Sequence, residues 1–544
     1  MALRLITHTR GRVGIVCLAA ILLAVLAPIA AAQTAVTTYH NDNYRTGWNS
    51  AESILTPANV NSSSFGQVAK VVLDDQVDAQ PLVVPGVSIT AGKYQGTHDV
   101  VYIATGNDTV YAIDADAGTV LLSRSLGKPV SWPLGCNNNG PNVGVDSTPV
   151  IDLDTNILYV MTYTQASSGP TYTLHALNLG NLTDTLTPAV VSASRPLTDG
   201  TTFKFNATYQ RQRPALLLAN GNIYAGFGSF CDYSANLSRG WLLGWNASTL
   251  APLSANHLND TQATSPNSFF LSSIWMSGYG PAADDSGNVL FATGNSDYSG
   301  NTYDGVTNIQ ESVVQISSDL TTVLSLFTPS NVGALDKDDG DTGSGGVMVL
   351  PDQPGSIPHL AVAAGKAGSM FLMNEDSLGG YSTTKNNVLG TYSVGACWCG
   401  ESYFVDPTDG LARVVSSAGN KVRVWKLRTS PSPKLTGIAA SATMSSVQDP
   451  GLFTSISSNG NANPIIWAIS RPQANKTIYL HAFNPESGST MSQIFVHPAG
   501  SWPNLTGNLN SVPVVANGKV YVVSNKQLQI FGLLQPNNTK LAKK

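Results

Sequence analysis

Eight times along this chain a polar turn leads into three short apolar runs, and that recurrence restricts the fold more than any other feature. The first runs begin near Gln80, Thr148, Arg213, Gly280, Gly345, Ser402, Phe453 and Val512. The second runs follow at 100–104, 157–162, 222–227, 288–293, 359–364, 411–416, 464–469 and 519–523. The third follow at 110–114, 172–177, 241–246, 311–316, 369–373, 421–427, 477–483 and 527–532. The starts lie about 50 to 70 residues apart, longer than the shortest propeller repeats because the loops carry insertions. The runs are strand-length, are bounded by Gly, Asn and Asp, and show no sustained helical period, so the chain reads as all-β.

Eight repeats of this kind predict an eight-bladed β-propeller with four strands per blade. The eighth repeat stops after its third strand, whereas an unused alternating segment, Gln67–Leu73, precedes the first. That N-terminal strand is expected to complete the last blade, tying the chain ends together and removing a free sheet edge. Separate β-sandwiches would need linkers, and no Pro/Ser-rich boundary interrupts the repeats. The expected organisation is a signal peptide over 1–32, an N-terminal lead-in over 33–64, the propeller over 65–534 and a tail over 535–544.

The leader reading rests on Arg4, Arg10 and Arg12, the apolar stretch Val13 to Leu26 and the small residues Ala30-Ala31-Ala32 before Gln33. The apolar stretch is short for a membrane span, so the mature chain is expected to be secreted or periplasmic, without a transmembrane anchor. With 29 Lys+Arg against 34 Asp+Glu and only 12% charged residues, a nucleic-acid partner is excluded as an expectation. Four cysteines follow the leader: Cys136, Cys231, Cys397 and Cys399. Export permits disulfides. Cys397 and Cys399 pair either with each other or with Cys136 and Cys231. No CxxCH motif for covalent haem is present, and neither HxH nor HExxH spacing supports zinc.

In a four-stranded meander, the loop before the first strand and the loop between the second and third open on the same face. This parity sends Asp78, Gln80, Asp146, Arg211, Arg213, Asp341 and Glu401, with Asn107, Asp108, Asp232, Asn295, Lys366 and Asn420, toward one funnel. Asn107-Asp108 and Gly419-Asn420 are also ordinary hairpin residues. The GSGG run at 343–346 lacks a P-loop ending and starts a strand, and no GxSxG elbow occurs. Sequons at Asn206, Asn236 and Asn246 matter only where the source glycosylates exported proteins.

Three segments in order carry a narrower pattern: Phe291-Ala292-Thr293-Gly294-Asn295, then DTGSGGVMVL from Asp341 to Leu350, then Gly365-Lys366-Ala367-Gly368-Ser369. Upstream lie Gly228-Ser229-Phe230-Cys231-Asp232 and Trp275. This arrangement resembles the quinoprotein alcohol dehydrogenases, eight-bladed propellers that bind pyrroloquinoline quinone (PQQ) with calcium. A partial blade-docking signature, Ala112-Ile113-Asp114-Ala115-Asp116-Ala117-Gly118, is similar to the family's, without the tryptophan that usually follows.

The resemblance implies Asp232, Asn295 and Asp341 as calcium ligands, Trp275 as a surface stacking beneath the quinone, and Lys366 as the basic residue on the quinone oxygens. It further implies Asp341 as general base, removing the substrate hydroxyl proton as hydride passes to the quinone. Physically, hard cations take oxygen ligands, a planar ring takes a flat surface, and developing negative charge takes a cation. One departure is clear: the family's adjacent cysteine pair is expected near Cys136, where this chain reads Cys136-Asn137.

The implied function is an exported oxidoreductase acting on an alcohol, sugar or aldehyde, with a small-molecule substrate and a separate electron acceptor. The alternative is a non-catalytic propeller binding a protein, peptide or glycan through the same funnel, since propellers do not imply enzymes. A metal-assisted carbohydrate hydrolase or lyase is a third reading of an acidic funnel.

Overall fold

The computed structural model describes residues 33–138, 140–299, 303–444, 451–471, 476–503 and 509–535; the expected leader and nearly all of the expected tail lie outside them. Blade 1 runs Leu82–Ile89, Gly96–Ala104, Thr109–Asp114 and Val120–Ser125, paired in that order. The innermost strands of blades 2 to 8 are Val150–Asp152, Leu217–Ala219, Ala282–Ala283, Val347–Leu350, Ser402–Val405, Phe453–Asn459 and Val514–Ala516. The protein is therefore an eight-bladed β-propeller.

The alternation within each strand explains how the ring is held. Val100, Tyr102 and Ala104 of blade 1 pack against Ile151, Leu158 and Val160 of blade 2. The intervening Val101 and Ile103 pack the opposite way, against Tyr521 and Val523 of blade 8. A period of two thus divides each strand between two neighbours, so these strands are buried on both faces and read as continuous apolar runs. Eight such clusters occupy the eight gaps between blades, the gap between blades 8 and 1 included.

Closure follows the sequence expectation. Phe65–Gln76 pairs antiparallel with Lys519–Leu533, Phe65 opposite Leu533 and Val71 opposite Leu528. The two strands expected at 519–523 and 527–532 are both present and fold back on each other at Lys526 (φ 58°), which brings Gly532 beside Gly518 and Lys519. Tyr521 and Val523 before that turn and Leu528 and Ile530 after it share the face toward blade 1, as partners across a hairpin do. Blade 3 departs from the expectation, because its first strand divides into Gln210–Gln212 and Leu217–Ala219, both paired with Asn222–Ser229. Pro214, which has no N–H to give to a ladder, lies in the gap.

The expected lead-in is an integral part of the ring. Between Val36 and Asn49 it bonds in turn to the innermost strand of every blade. Val36 pairs with Val83, and Thr37 O accepts from Ile151 N at 2.8 Å. Asn43 bridges blades 3 and 4 through Leu218 O and Ala283 N. Tyr44 O, Thr46 O and Gly47 O accept from Val349, Tyr403 and Ile456 N, and Asn49 Nδ2 donates to Val515 O. Arg45, wholly buried, donates to Thr38 Oγ1, Tyr39 O, Pro281 O and Leu216 O. The channel is thereby filled just beneath the loops that precede the innermost strands. Tyr279 stands on this plug, its hydroxyl donating to Arg45 O, its ring between Gly346 and Gly400. A Cβ on either glycine would lie 1.9 Å from the ring, which is why the GSGG run ends in glycine.

Candidate active site

The strand ends place the expected residues on one face. Asp232 follows Asn222–Ser229, Asn295 follows Val289–Ala292, and Lys366 occupies the turn between Leu360–Ala364 and Ser369–Asn374. Trp275 and Asp341 lie on the loops before the innermost strands of blades 4 and 5. A short helix unforeseen from sequence, Val332–Asp338, ends at Asp339 in the left-handed region (φ 54°) and delivers the chain to Asp341.

These side chains meet. Lys366 Nζ lies 2.5 Å from Asp341 Oδ2 and 2.6 Å from Asp339 Oδ1. The other Asp341 oxygen accepts the Asn295 N–H at 2.7 Å, and Asn295 Nδ2 donates to Asp339 at 3.2 Å. Asp341 is 5% exposed and both of its oxygens are engaged, so its orientation is held from two sides. Trp275, half-buried, brings its Cδ1 within 3.3 Å of where a Cβ on Gly294 would stand, and Asp341 Oδ1 lies 2.5 Å from the same point. Asp232 accepts from Ser229 Oγ at 2.7 Å.

The electrostatics tie Asp232 to the same group. Burial, and then the Asp341 and Asp339 carboxylates, push it up to about 7, against the opposing pull of Lys366. Burial pulls the Lys366 ammonium down, but Asp341 and Asp339 outweigh it and hold the amine well above its ordinary value. The structure adds acids that sequence reading missed. Glu311 accepts the Thr342 N–H at 2.5 Å and is raised well above a usual carboxyl by burial, Asp341 and Asp336. Asp336, raised by burial to about 7, accepts the Ser296 N–H at 2.9 Å. Asp339 was legible two residues before Asp341; Glu311 and Asp336 carried no signal beyond being acidic.

Asn295 Oδ1 is buried without a hydrogen-bond partner among the described residues, as is Glu311 Oε1. A hard cation is the group an orphaned amide oxygen beside carboxylates would satisfy. Among the described residues no three His, Cys, Asp or Glu side chains are grouped so as to hold a metal ion by themselves. The donor chemistry of Asp232, Asn295 and Asp341 fits an oxygen-coordinated ion. Other funnel residues do not join this constellation: Asp146 pairs with Arg211 at 2.6 Å, both buried, and Glu401 lies beside Tyr279, whose hydroxyl shares its single proton between the Arg45 carbonyl and, at 3.0 Å, the Glu401 carbonyl.

Both disulfides border the site. Cys136 is bonded to Cys231, the residue before Asp232, and Cys397 to Cys399, so the local pairing is the one realised. Among the described residues no helix is long and apolar enough to cross a membrane.

No family model matches the sequence, and no curated protein matches it. Solved structures do. The quinohemoprotein alcohol dehydrogenase of Comamonas testosteroni superposes with a TM-score of 0.58 at 13% identity, over 92% of this chain and 81% of that one. The quinohemoprotein alcohol dehydrogenase ADHIIG of Pseudomonas putida HK5 gives 0.57 at 12%, over 92% and 80%. A europium-containing methanol dehydrogenase gives 0.56 at 10%, over 92% and 98%. The chain thus has the eight-bladed propeller fold of the quinoprotein alcohol dehydrogenases.

Proposed function

We propose that this chain is an exported PQQ- and calcium-dependent dehydrogenase that oxidises an alcohol, sugar or aldehyde and passes electrons to a separate acceptor. The observation that carries the reading is the meeting of Asn295, Asp341 and Lys366, with Asp232 and Trp275 beside them, at one place on the loop-rich face. Export is read from the arginines and apolar run of residues 1–32, which act as a cleaved signal peptide.

Asp232, the Asn295 amide oxygen and Asp341 would hold the cation, and Trp275 would offer a flat surface. When bound, the quinone supplies a two-electron acceptor for hydride. The protein's own share is positional and protonic. Asp341, steered by Lys366 and the Asn295 N–H, takes the proton of the substrate hydroxyl. Lys366 sets a fixed positive charge where negative charge develops, in a setting that needs no reorganisation. Trp275 and the buried strand ends exclude water beneath.

The test is uptake of PQQ with calcium by the purified protein, followed by dye reduction across alcohols, sugars and aldehydes. Asp341→Asn is expected to lower turnover by about 10²-fold or more, a larger effect than on quinone affinity, as loss of a general base does. Absence of quinone binding at micromolar concentration would overturn the enzyme reading in favour of a binding propeller. Glycan cleavage without an acceptor would point to the hydrolase or lyase alternative.

A further inference from the structure

The Cys397–Cys399 bridge encloses a single residue, Trp398. Both cysteines are fully buried and belong to the apolar cluster between blades 5 and 6, whereas the indole is half-buried and outside it. Packing accounts for the cysteines but not for the tryptophan. The indole faces the constellation described above, its ring centroid 5.8 Å from Lys366 Nζ.

The loop that presents it is fastened to the same residues. Ser344 Oγ lies 2.9 Å from the Asp341 carbonyl and 2.8 Å from the Cys397 carbonyl, its single proton shared between them, and accepts the Lys366 N–H at 2.8 Å. One hydroxyl therefore joins the backbone of the proposed base, the proposed cationic residue and the disulfide loop. The Cys399 carbonyl accepts from Gly346 N, next to the ring of Tyr279. A bridge across two residues removes the freedom of this loop before any ligand arrives, and a surface ordered in advance binds with less entropic loss.

We infer that Trp398 is a second aromatic surface of the ligand site, contributed by the loop before blade 6, against which a planar anionic ring held at Lys366 lies. This rests on the proposed function and names a binding residue that the sequence resemblance did not. An indole already engaged in a cation–π contact also keeps the Lys366 amine oriented when its carboxylate partners are drawn toward a cation.

Binding of PQQ in the presence of calcium, followed by calorimetry and by quenching of tryptophan fluorescence, tests it. Trp398→Leu is expected to weaken quinone binding about tenfold, the scale of one aromatic face, and Trp398→Phe to retain most of the affinity while reducing the quenching amplitude. Cys397→Ser/Cys399→Ser is expected to weaken binding in the same direction, because the indole loses its fixed position. Should the wild-type protein bind quinone and both Trp398 variants bind it with unchanged affinity and full quenching, the assignment of Trp398 is wrong while the proposed function stands. Should the wild type take up no quinone, both are wrong. Thermal melting separates a binding loss from a folding loss, and the Phe variant, nearest in shape, supplies the comparison if the Leu variant folds poorly.

Discussion

Glu401, buried at the entry to the innermost strand of blade 6, shows how a single side chain acquires a cost that a surface acid never carries. Both of its carboxylate oxygens are buried without a partner among the described residues, and burial pushes it up to about 8 from an ordinary 4.5. The folded protein therefore holds this proton more tightly than the unfolded chain does. Its contribution is most favourable below about pH 4.5 and is lost as pH rises to about 8, above which the whole penalty is present. Glu401→Gln, which keeps the volume and cannot ionise, is expected to raise the melting temperature at pH 8.5 by more than at pH 5. An equal offset at the two pH values would show that the carboxyl ionises freely in the fold. At this scale the sequence named, through its motifs, Asp341, Asn295 and Lys366, which the structure brings into contact with one another. It was silent for Glu311 and Asp336, because their importance comes from burial beside Asp341 rather than from any spacing.

Among the elements, the lead-in is the one whose contacts the sequence pattern announces least. The sequence pattern marks this stretch only as a lead-in, and Val36 to Asn49 bonds to all eight innermost strands and fills the channel. Its hydrogen bonds are made mostly by backbone carbonyls, which any residue owns, so nothing in the side-chain pattern announces them. Side chains join in through the Asn43 and Asn49 amides and, above all, through Arg45, a fully buried guanidinium serving five oxygens. Arg45→Met is expected to destabilise the protein by about 3 kcal/mol or more, since buried hydrogen bonds from a charged donor are lost and carbonyls are left unpaired. Denaturant unfolding measures this, and a change below about 1 kcal/mol would mean that water replaces the guanidinium. Tyr279 rests on the same plug with its ring between Gly346 and Gly400, so the lead-in is packed directly against the loops that precede blades 5 and 6.

For the molecule as a whole, the decisive interface is the one that joins its two ends. Blade 8 is completed by Phe65–Gln76, and the cluster between blades 8 and 1 draws on Val71 and Leu73 from the start of the chain and Leu528 and Ile530 from its end. Adjacent residues on that strand have opposite consequences. Val71 is 5% exposed and faces the cluster, whereas Val72 is 76% exposed. Val71→Asp is expected to cost about 3 kcal/mol or more by burying an unpaired charge and to open the ring to proteolysis at blades 8 and 1. Val72→Asp is expected to stay within about 0.5 kcal/mol. Similar proteolysis of the two variants would contradict the closure by the N-terminal strand.

What the sequence determined by itself was the repeat: eight sets of apolar runs, each strand dividing its side chains between two neighbours, leave a closed ring as the way to bury both faces of every sheet. The second strands lie where the pattern put them, because period-two burial is a local property written in consecutive residues. Tertiary structure alone decided which disulfides form, where the lead-in runs, and which acids gather around Asp341. Those depend on distances between loops far apart in the chain, set by how the blades pack rather than by what any segment prefers. Trp398 belongs to that second group: between two cysteines in the sequence it is a tryptophan in a loop, and only the packing of blade 6 against blade 5 brings it to Lys366.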